Sequence, residues 1–129
     1  MSSDKEIKGL QEAVQTYLNA IKTGKDDFFE RAFYPFAHII PAGENPNDRK
    51  IPIKDFIERI QKRHYEGTKV EEIALGITYS YEGRVANVKL DFKLIIGDQV
   101  LYGSDYFNMI KYSDKWKITQ KIYDVTSME

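Results

Sequence analysis

Two side chains of this 129-residue chain have the chemistry to move a proton, and both fall in strand-like runs. Asp105 lies in GSDYFNMIKY at the parity of Leu101, Phe107 and Met109. A carboxylate among inward-facing apolar residues has to be hydrogen-bonded, paired, protonated or wetted, because burying it alone is costly. It therefore points to a pocket. His38 lies in FYPFAHII, and imidazole titrates near neutral pH, so a His and an Asp facing one cavity would suffice to carry a proton between two substrate atoms. Strand parity groups His38 with Phe36 and Ile40. Tyr17, Tyr34 and Tyr79 offer phenolic hydroxyls of the kind that stabilise a developing oxyanion. Phe107 offers an aromatic wall, and Gln120 joins the apolar face in one register of the last hairpin and is exposed in the other. Each residue has a plainer reading beside this one: a structural carboxylate met by backbone or a lysine, a packed histidine, tyrosines with a buried ring and a wet tip.

Other chemistries find little support. With no cysteine there is no disulfide, thiolate nucleophile or cysteine-based zinc site, which fits a reducing cytoplasm. His38 and His64 lack metal-ligand spacing, and the carboxylates form no calcium-loop pattern, so neither metal nor cofactor is expected. There is no glycine-rich phosphate loop and no nucleophile elbow. Nineteen Lys and Arg against twenty Asp and Glu leave a net charge of -1, with a pI near 6.1. That balance lacks the basic field that drives nucleic-acid binding. The N-terminal MSSDKEIKGLQEAV is charged where a signal peptide would be apolar, and no run reaches membrane-spanning length. A soluble, cytoplasmic protein is expected.

The elements that must position these residues follow from periodicity. Ile7, Leu10, Val14, Leu18 and Ile21 recur at helical spacing from Asp4 onward, with Ser2, Ser3 or Asp4 placed to cap the start and Gly24 to end the helix. Asp26 is placed to cap a second helix carrying Phe28, Phe29, Ala32 and Phe33, stopped by Pro35. A short strand, Phe36 to Ile40, precedes the polar segment PAGENPNDRK, an exposed loop whose Ala42 to Lys50 stretch would suit a lid. Ile53, Phe56, Ile57 and Ile60 then mark a third helix, Ile53 to Arg63. Everything after Val70 alternates at strand spacing. Ile73, Leu75, Ile77, Tyr79 and Tyr81 share one parity, and Glu72, Ala74, Gly76 and Thr78 the other. In the next run Ala86, Val88, Leu90, Phe92 and Leu94 point inward. The final hairpin turns at Ser113-Asp114-Lys115, where a one-residue slip would exchange the faces of the last strand. The register that makes a continuous apolar face puts Trp116, Ile118, Gln120 and Ile122 inward and Lys117, Thr119, Lys121 and Tyr123 outward. Helices before a sheet imply an α+β layer fold in one domain, residues 1–129.

This order of elements, with Asp105-Tyr106-Phe107, Met109, Lys111, Trp116-Lys117-Ile118 and Lys121, resembles the nuclear transport factor 2-like (cystatin-like) superfamily. Within it, the chain is most similar to the putative lumazine-binding and SnoaL-like families. The resemblance extends upstream through FYPFAHII and the helix from Ile53. It implies a curved antiparallel sheet wrapped around the helices to form a conical cavity, commonly in a dimer. Relatives include ketosteroid isomerases, scytalone dehydratases, polyketide cyclases and limonene epoxide hydrolases beside many non-catalytic members, so the fold alone does not fix the function.

The expectation that results is a small-molecule-binding domain whose apolar cavity takes an apolar or aromatic ligand, with Asp105 as its polar anchor. Tyr102, Tyr106, Asn108, Ile110, Tyr112, Thr119, Lys121 and Tyr123 form a tyrosine-rich opposite face suited to a homodimer interface. One rival is a cofactor-free isomerase, dehydratase or cyclase using His38 and Asp105. Another is a structural or adaptor dimer whose cone is filled by Phe33, Phe56, Phe92 and Trp116.

Overall fold

The computed structural model describes residues 2–45, 47 and 50–129, so Pro46, Asp48 and Arg49 of the expected lid segment lie outside the described residues. Among the described residues, three helices, α1 (Ser2–Thr23), α2 (Asp26–Ala32) and α3 (Ile53–Tyr65), accompany six strands: β1 (Phe33–Pro41), β2 (Ile51–Pro52), β3 (Val70–Glu82), β4 (Val85–Ile96), β5 (Gln99–Tyr112) and β6 (Lys115–Met128). The strands form one curved, unclosed sheet in the order β2-β1-β6-β5-β4-β3. Its pairings are antiparallel except β1 on β6, which is parallel. A parallel neighbour requires a long crossover, and the whole β3–β5 meander supplies it.

Helix α1 turns Leu10, Val14, Tyr17 and Ile21 to one side, and all four are buried against the sheet. The helix already includes Ser2, so Ser2, Ser3 and Asp4, the expected capping positions, are all helical residues. Gly24 ends it with φ of +71° and donates its backbone N–H to the Ala20 carbonyl at 2.8 Å. A side chain there would be excluded twice over, by that left-handed backbone and by the His64 ring, 2.7 Å from where a Cβ would stand. His64 Nε2 in turn meets the Ile21 carbonyl at 2.8 Å, and the Gln61 amide donates to Gly24 O and Asp26 Oδ1. The end of α3 is thereby tied to the α1–α2 corner. Lys25, not Asp26, occupies the N-cap position of α2 and makes no side-chain capping bond, Asp26 being the first helical residue; the helix ends at Ala32, so Phe33 opens the strand instead of closing the helix.

Three two-residue turns close the meander. Ser113 and Asp114 both adopt positive φ, 50° and 62°, in the twist-matched geometry that hairpins favour, so Lys115 belongs to the strand and pairs with Tyr112. On β4 the expected alternation holds: Ala86, Val88, Leu90 and Phe92 are buried. Strands β3 and β6 behave differently. The β3–β4 ladder slips between Ala74 and Gly76, leaving Leu75 unpaired, and the β5–β6 ladder slips between Asn108 and Met109, leaving Thr119 unpaired. Each slip is a β-bulge, where one extra residue exchanges the faces of the strand beyond it.

Candidate functional site

The two bulges decide which polar residues enter the interior. On β6, Trp116 and Ile118 point inward as the alternation requires, but Thr119 occupies the bulge, its hydroxyl donating to the Asn108 carbonyl at 3.0 Å. Beyond it the parity inverts: Lys121 pairs with Phe107 and Tyr123 with Asp105 on the inner face, whereas Gln120 and Ile122 face out. The expected placement of all four is therefore reversed. On β3 the bulge at Leu75 does the same in the other direction. Ile77, Tyr79 and Tyr81 share the inner face with Leu90, Val88 and Ala86, but upstream it is Val70, Glu72 and Ala74 that point in, and Ile73 that points out.

A charged cluster results at the centre of the core. Tyr17 is fully buried, and Asp105, Lys121 and Glu72 are only 1%, 5% and 6% exposed. Lys121 Nζ donates to the Tyr17 hydroxyl at 2.7 Å, and that hydroxyl donates to Glu72 Oε1 at 2.6 Å. The same Nζ stands 3.7 Å from Asp105 Oδ1. The Phe56, Tyr123 and Tyr17 ring centroids lie 4.8, 4.9 and 5.1 Å from it. Three π-faces around one ammonium offset part of its desolvation. The Phe107 ring meets Tyr17 edge to face, centroids 4.8 Å apart, and holds the phenol in place.

This cluster has one cation for two carboxyl groups. Tyr17 links Glu72 Oε1 to Lys121, whereas Glu72 Oε2 and both oxygens of Asp105 accept from no donor group within ordinary hydrogen-bond distance among the described residues, and the two carboxyl groups stand close enough to share a proton. Burial raises the pKa of Asp105 well above the ordinary carboxylate value, and the charge of Glu72 raises it further, against a smaller lowering by Lys121. With Asp105 neutral, Glu72 and Lys121 balance, and the interior has no net charge. Burial, with the charges of Asp105 and Glu72, likewise pushes the Tyr17 phenol up, so it stays a hydrogen-bond donor.

Asp105, Glu72 and Lys121 form the inner end of a cavity of about 150 Å³, walled by Ile39, Phe92 and Leu94 from the sheet and by Phe56 and Ile60 from α3, with Arg59 and Arg63 at its opening. Phe92 reaches this wall because Gly103 opposes it. A Cβ on Gly103 would stand 1.9 Å from the Asp124 carbonyl oxygen and 2.9 Å from the Phe92 ring. The chemistry available at the inner end is that of a neutral carboxylic acid able to donate one hydrogen bond and accept others, in an apolar setting.

The candidates read from sequence separate into two groups. Asp105, Tyr17 and Phe107 come together in the interior, and Tyr79 is half-buried on the same face but does not line the cavity. His38, Gln120 and Tyr34 do not join them. His38 pairs with Gln120 on the outer face, and the sheet lies between it and Asp105. Its ring nitrogen Nε2 meets Gln120 Nε2 at 3.0 Å, Asn108 donates to Gln120 Oε1 at 3.0 Å, and Asn87 donates to Asn108 Oδ1 at 3.0 Å. Tyr34 donates its hydroxyl to the Ile110 carbonyl. Glu72 and Lys121 are the interior residues that alternation missed. Gly76, an isolated glycine inside a strand pattern, marked the first bulge, and the doubled polar pair Thr119-Gln120 marked the second.

Among the described residues, no three histidines or carboxylates gather as a metal ion requires, and no helix is long and apolar enough to cross a membrane. Residues 5–124 match the model of a family described as putative lumazine-binding. No curated protein matches the chain. Among solved structures, a protein of unknown function from Silicibacter pomeroyi, described as similar to nuclear transport factor 2, superposes with a TM-score of 0.78 at 19% identity, covering 98% of this chain and 100% of that one. A protein described as a putative scytalone dehydratase from Novosphingobium aromaticivorans gives 0.79 at 13% identity, over 98% and 90%. A nuclear transport factor 2-like superfamily protein from Salmonella enterica gives 0.77 at 16%, over 98% and 94%. At these identities the likeness is one of fold.

Proposed function

The chain belongs to the putative lumazine-binding family within the nuclear transport factor 2-like superfamily, and on that premise we propose that it is a small-molecule-binding domain whose ligand enters the cavity beneath α3 and is anchored by Asp105. One observation carries this reading. Asp105 is 1% exposed and lines the cavity, and its polar neighbours among the described residues include a second carboxyl group, Glu72, and the Lys121 ammonium 3.7 Å away. Buried polar groups in folded proteins are nearly always satisfied, and a carboxyl whose neighbours are one other carboxyl and a lysine beyond ordinary hydrogen-bond distance keeps lone pairs for what enters the cavity. The reading is tested by native mass spectrometry of the purified protein followed by denaturing extraction, together with uptake of toluene observed by NMR. A retained small molecule, or saturable toluene binding that shifts the Phe56, Ile60 and Phe92 resonances, supports an open pocket. An empty protein that takes up no toluene refutes it.

In the same reading the outer sheet face makes a homodimer. Tyr106, Ile110 and Ile122 are exposed there, flanking the uncharged Asn87-Asn108-Gln120-His38 row, and an aromatic and aliphatic surface poor in charge is the composition that interface cores favour. Sedimentation showing only monomer at high micromolar concentration would remove this part. The catalytic alternative loses its expected pair, since His38 and Asp105 lie on opposite faces. A cofactor-free proton transfer would rest on Asp105 with Glu72, and Asp105→Asn would abolish it.

A further inference from the structure

We propose that the cavity takes a small organic acid, with one apolar ring or short chain inside and its anionic group held at the opening by Arg59 and Arg63. The inference deepens the pocket reading above and rests on it. Phe56, Arg59, Ile60 and Arg63 share one face of α3 at helical spacing, and all four line the cavity. Phe56 and Ile60 are half-buried, whereas Arg59 and Arg63 are exposed, so the apolar pair forms wall and the guanidinium pair forms rim. Neither guanidinium is in an ion pair with a described residue. The lining also holds Lys121, Glu72 and Asp105. Its net charge is +2 with Asp105 neutral and +1 with both carboxyls ionised, so the site favours an anion in either state.

The position of that anion follows from the same groups. At the inner end an incoming carboxylate would meet Glu72 and find the Lys121 ammonium already engaged with Tyr17 and Asp105. At the rim two guanidiniums one helical turn apart present forked donors that match carboxylate, sulfonate or phosphate oxygens. Size narrows the class. A cavity of about 150 Å³ is the volume that accepts one benzene-sized body in an engineered apolar core, which excludes a polycyclic ligand at this opening.

Hydrocinnamate, hydrocinnamyl alcohol, phenylpropylamine and toluene, titrated into the full chain at pH 7 by NMR and calorimetry, test the proposal. Hydrocinnamate is expected to bind about tenfold more tightly than the alcohol, the combined effect of two exposed ionic contacts, and the amine more weakly than either. Arg59→Gln with Arg63→Gln, both at exposed positions, should erase the difference between acid and alcohol while leaving toluene affinity unchanged. The advantage should also shrink at 1 M salt, where the screening length is about 3 Å. Equal binding of acid and alcohol, tighter binding of the amine, or an acid preference that survives the double substitution overturns the proposal while toluene uptake keeps the pocket reading intact. Failure of all four probes, toluene included, overturns both.

Discussion

The two faces of one sheet carry two rows of polar side chains, and the rows are built on opposite terms. On the outer face Asn87, Asn108, Gln120 and His38 run across β4, β5, β6 and β1, each hydrogen-bonded to the next. They are uncharged, partly solvated and paired. On the inner face Glu72, Tyr17, Lys121 and Asp105 are all buried and ionisable, with one cation between two carboxyl groups. An amide row in contact with water has little to lose when one member goes. A buried ionic row does, because removing one charge leaves another uncompensated in a medium that solvates it poorly. The inner face is therefore where stability has been given up, and function is the reason folded proteins tolerate such sites.

The largest effect that would sharpen this contrast is expected from Lys121→Met. It leaves two carboxyl groups with no cation and should cost about 3–5 kcal/mol in urea unfolding at pH 7, the range for breaking a buried ion pair from one side. Adding Glu72→Gln should recover at least about 1 kcal/mol of that loss, since the two share one hydroxyl bridge. A Lys121→Met protein as stable as the parent would mean that the inner row is not ionic. Tyr17→Phe comes next. Removing the hydroxyl that accepts from Lys121 and donates to Glu72 should cost about 1–3 kcal/mol with the ring packing on Phe107 preserved, because it strands two buried polar groups.

Asp105→Asn should act in the opposite direction. The folded protein holds the Asp105 proton more tightly than the unfolded chain does, since burial and Glu72 raise its pKa. Stability contributed by the neutral acid is thus full below the ordinary carboxylate range and is lost as pH rises from there through the folded value. Asparagine cannot ionise, so the variant should gain about 0.5–2 kcal/mol at neutral pH and lose the part of the pH slope above about pH 4 that Asp105 causes. Chemical denaturation across pH 4 to 8 measures both. A variant less stable than the parent at pH 7 would show that Asp105 is ionised and paired, and would dissolve the distinction between the faces.

How much of this was legible beforehand follows from which strands alternate without interruption. On β4 and β5 the run from Ala86 to Leu94 and the parity of Asp105 with Phe107 and Met109 needed no tertiary information, and the helices were equally plain in the spacing of Leu10, Val14 and Ile21. The inner row was half visible. Asp105 and Tyr17 could be selected as candidates because their strand and helix keep one period throughout, but Glu72 and Lys121 lie beyond bulges at Leu75 and Thr119, where local alternation predicts the wrong face. The spatial relation of His38 to Asp105 was invisible for a different reason. The parity that groups His38 with Ile40 is correct, yet which face is inward on β1 depends on its parallel docking beside β6, a pairing over eighty residues distant in sequence that no local pattern encodes.

The smallest expected effect lies at the end of the outer row and tests whether that row is as inconsequential as its solvation implies. His38 meets Gln120, and burial together with the nearby Lys50 charge lowers its pKa below the ordinary histidine value. The folded state thus disfavours the charged imidazole. Whatever stability His38 contributes is present above the unfolded histidine pKa and is lost as pH falls below it through the folded value. His38→Gln keeps a hydrogen-bonding group beside Gln120 without titrating, so it should leave stability within about 0.5 kcal/mol of the parent at pH 7 and flatten the slope between about pH 6.5 and 5. Ligand uptake by the cavity should not change, because the sheet separates His38 from Asp105. A His38→Gln protein that folds normally but no longer binds in the cavity would join the two faces in one site and break the comparison from its weaker side.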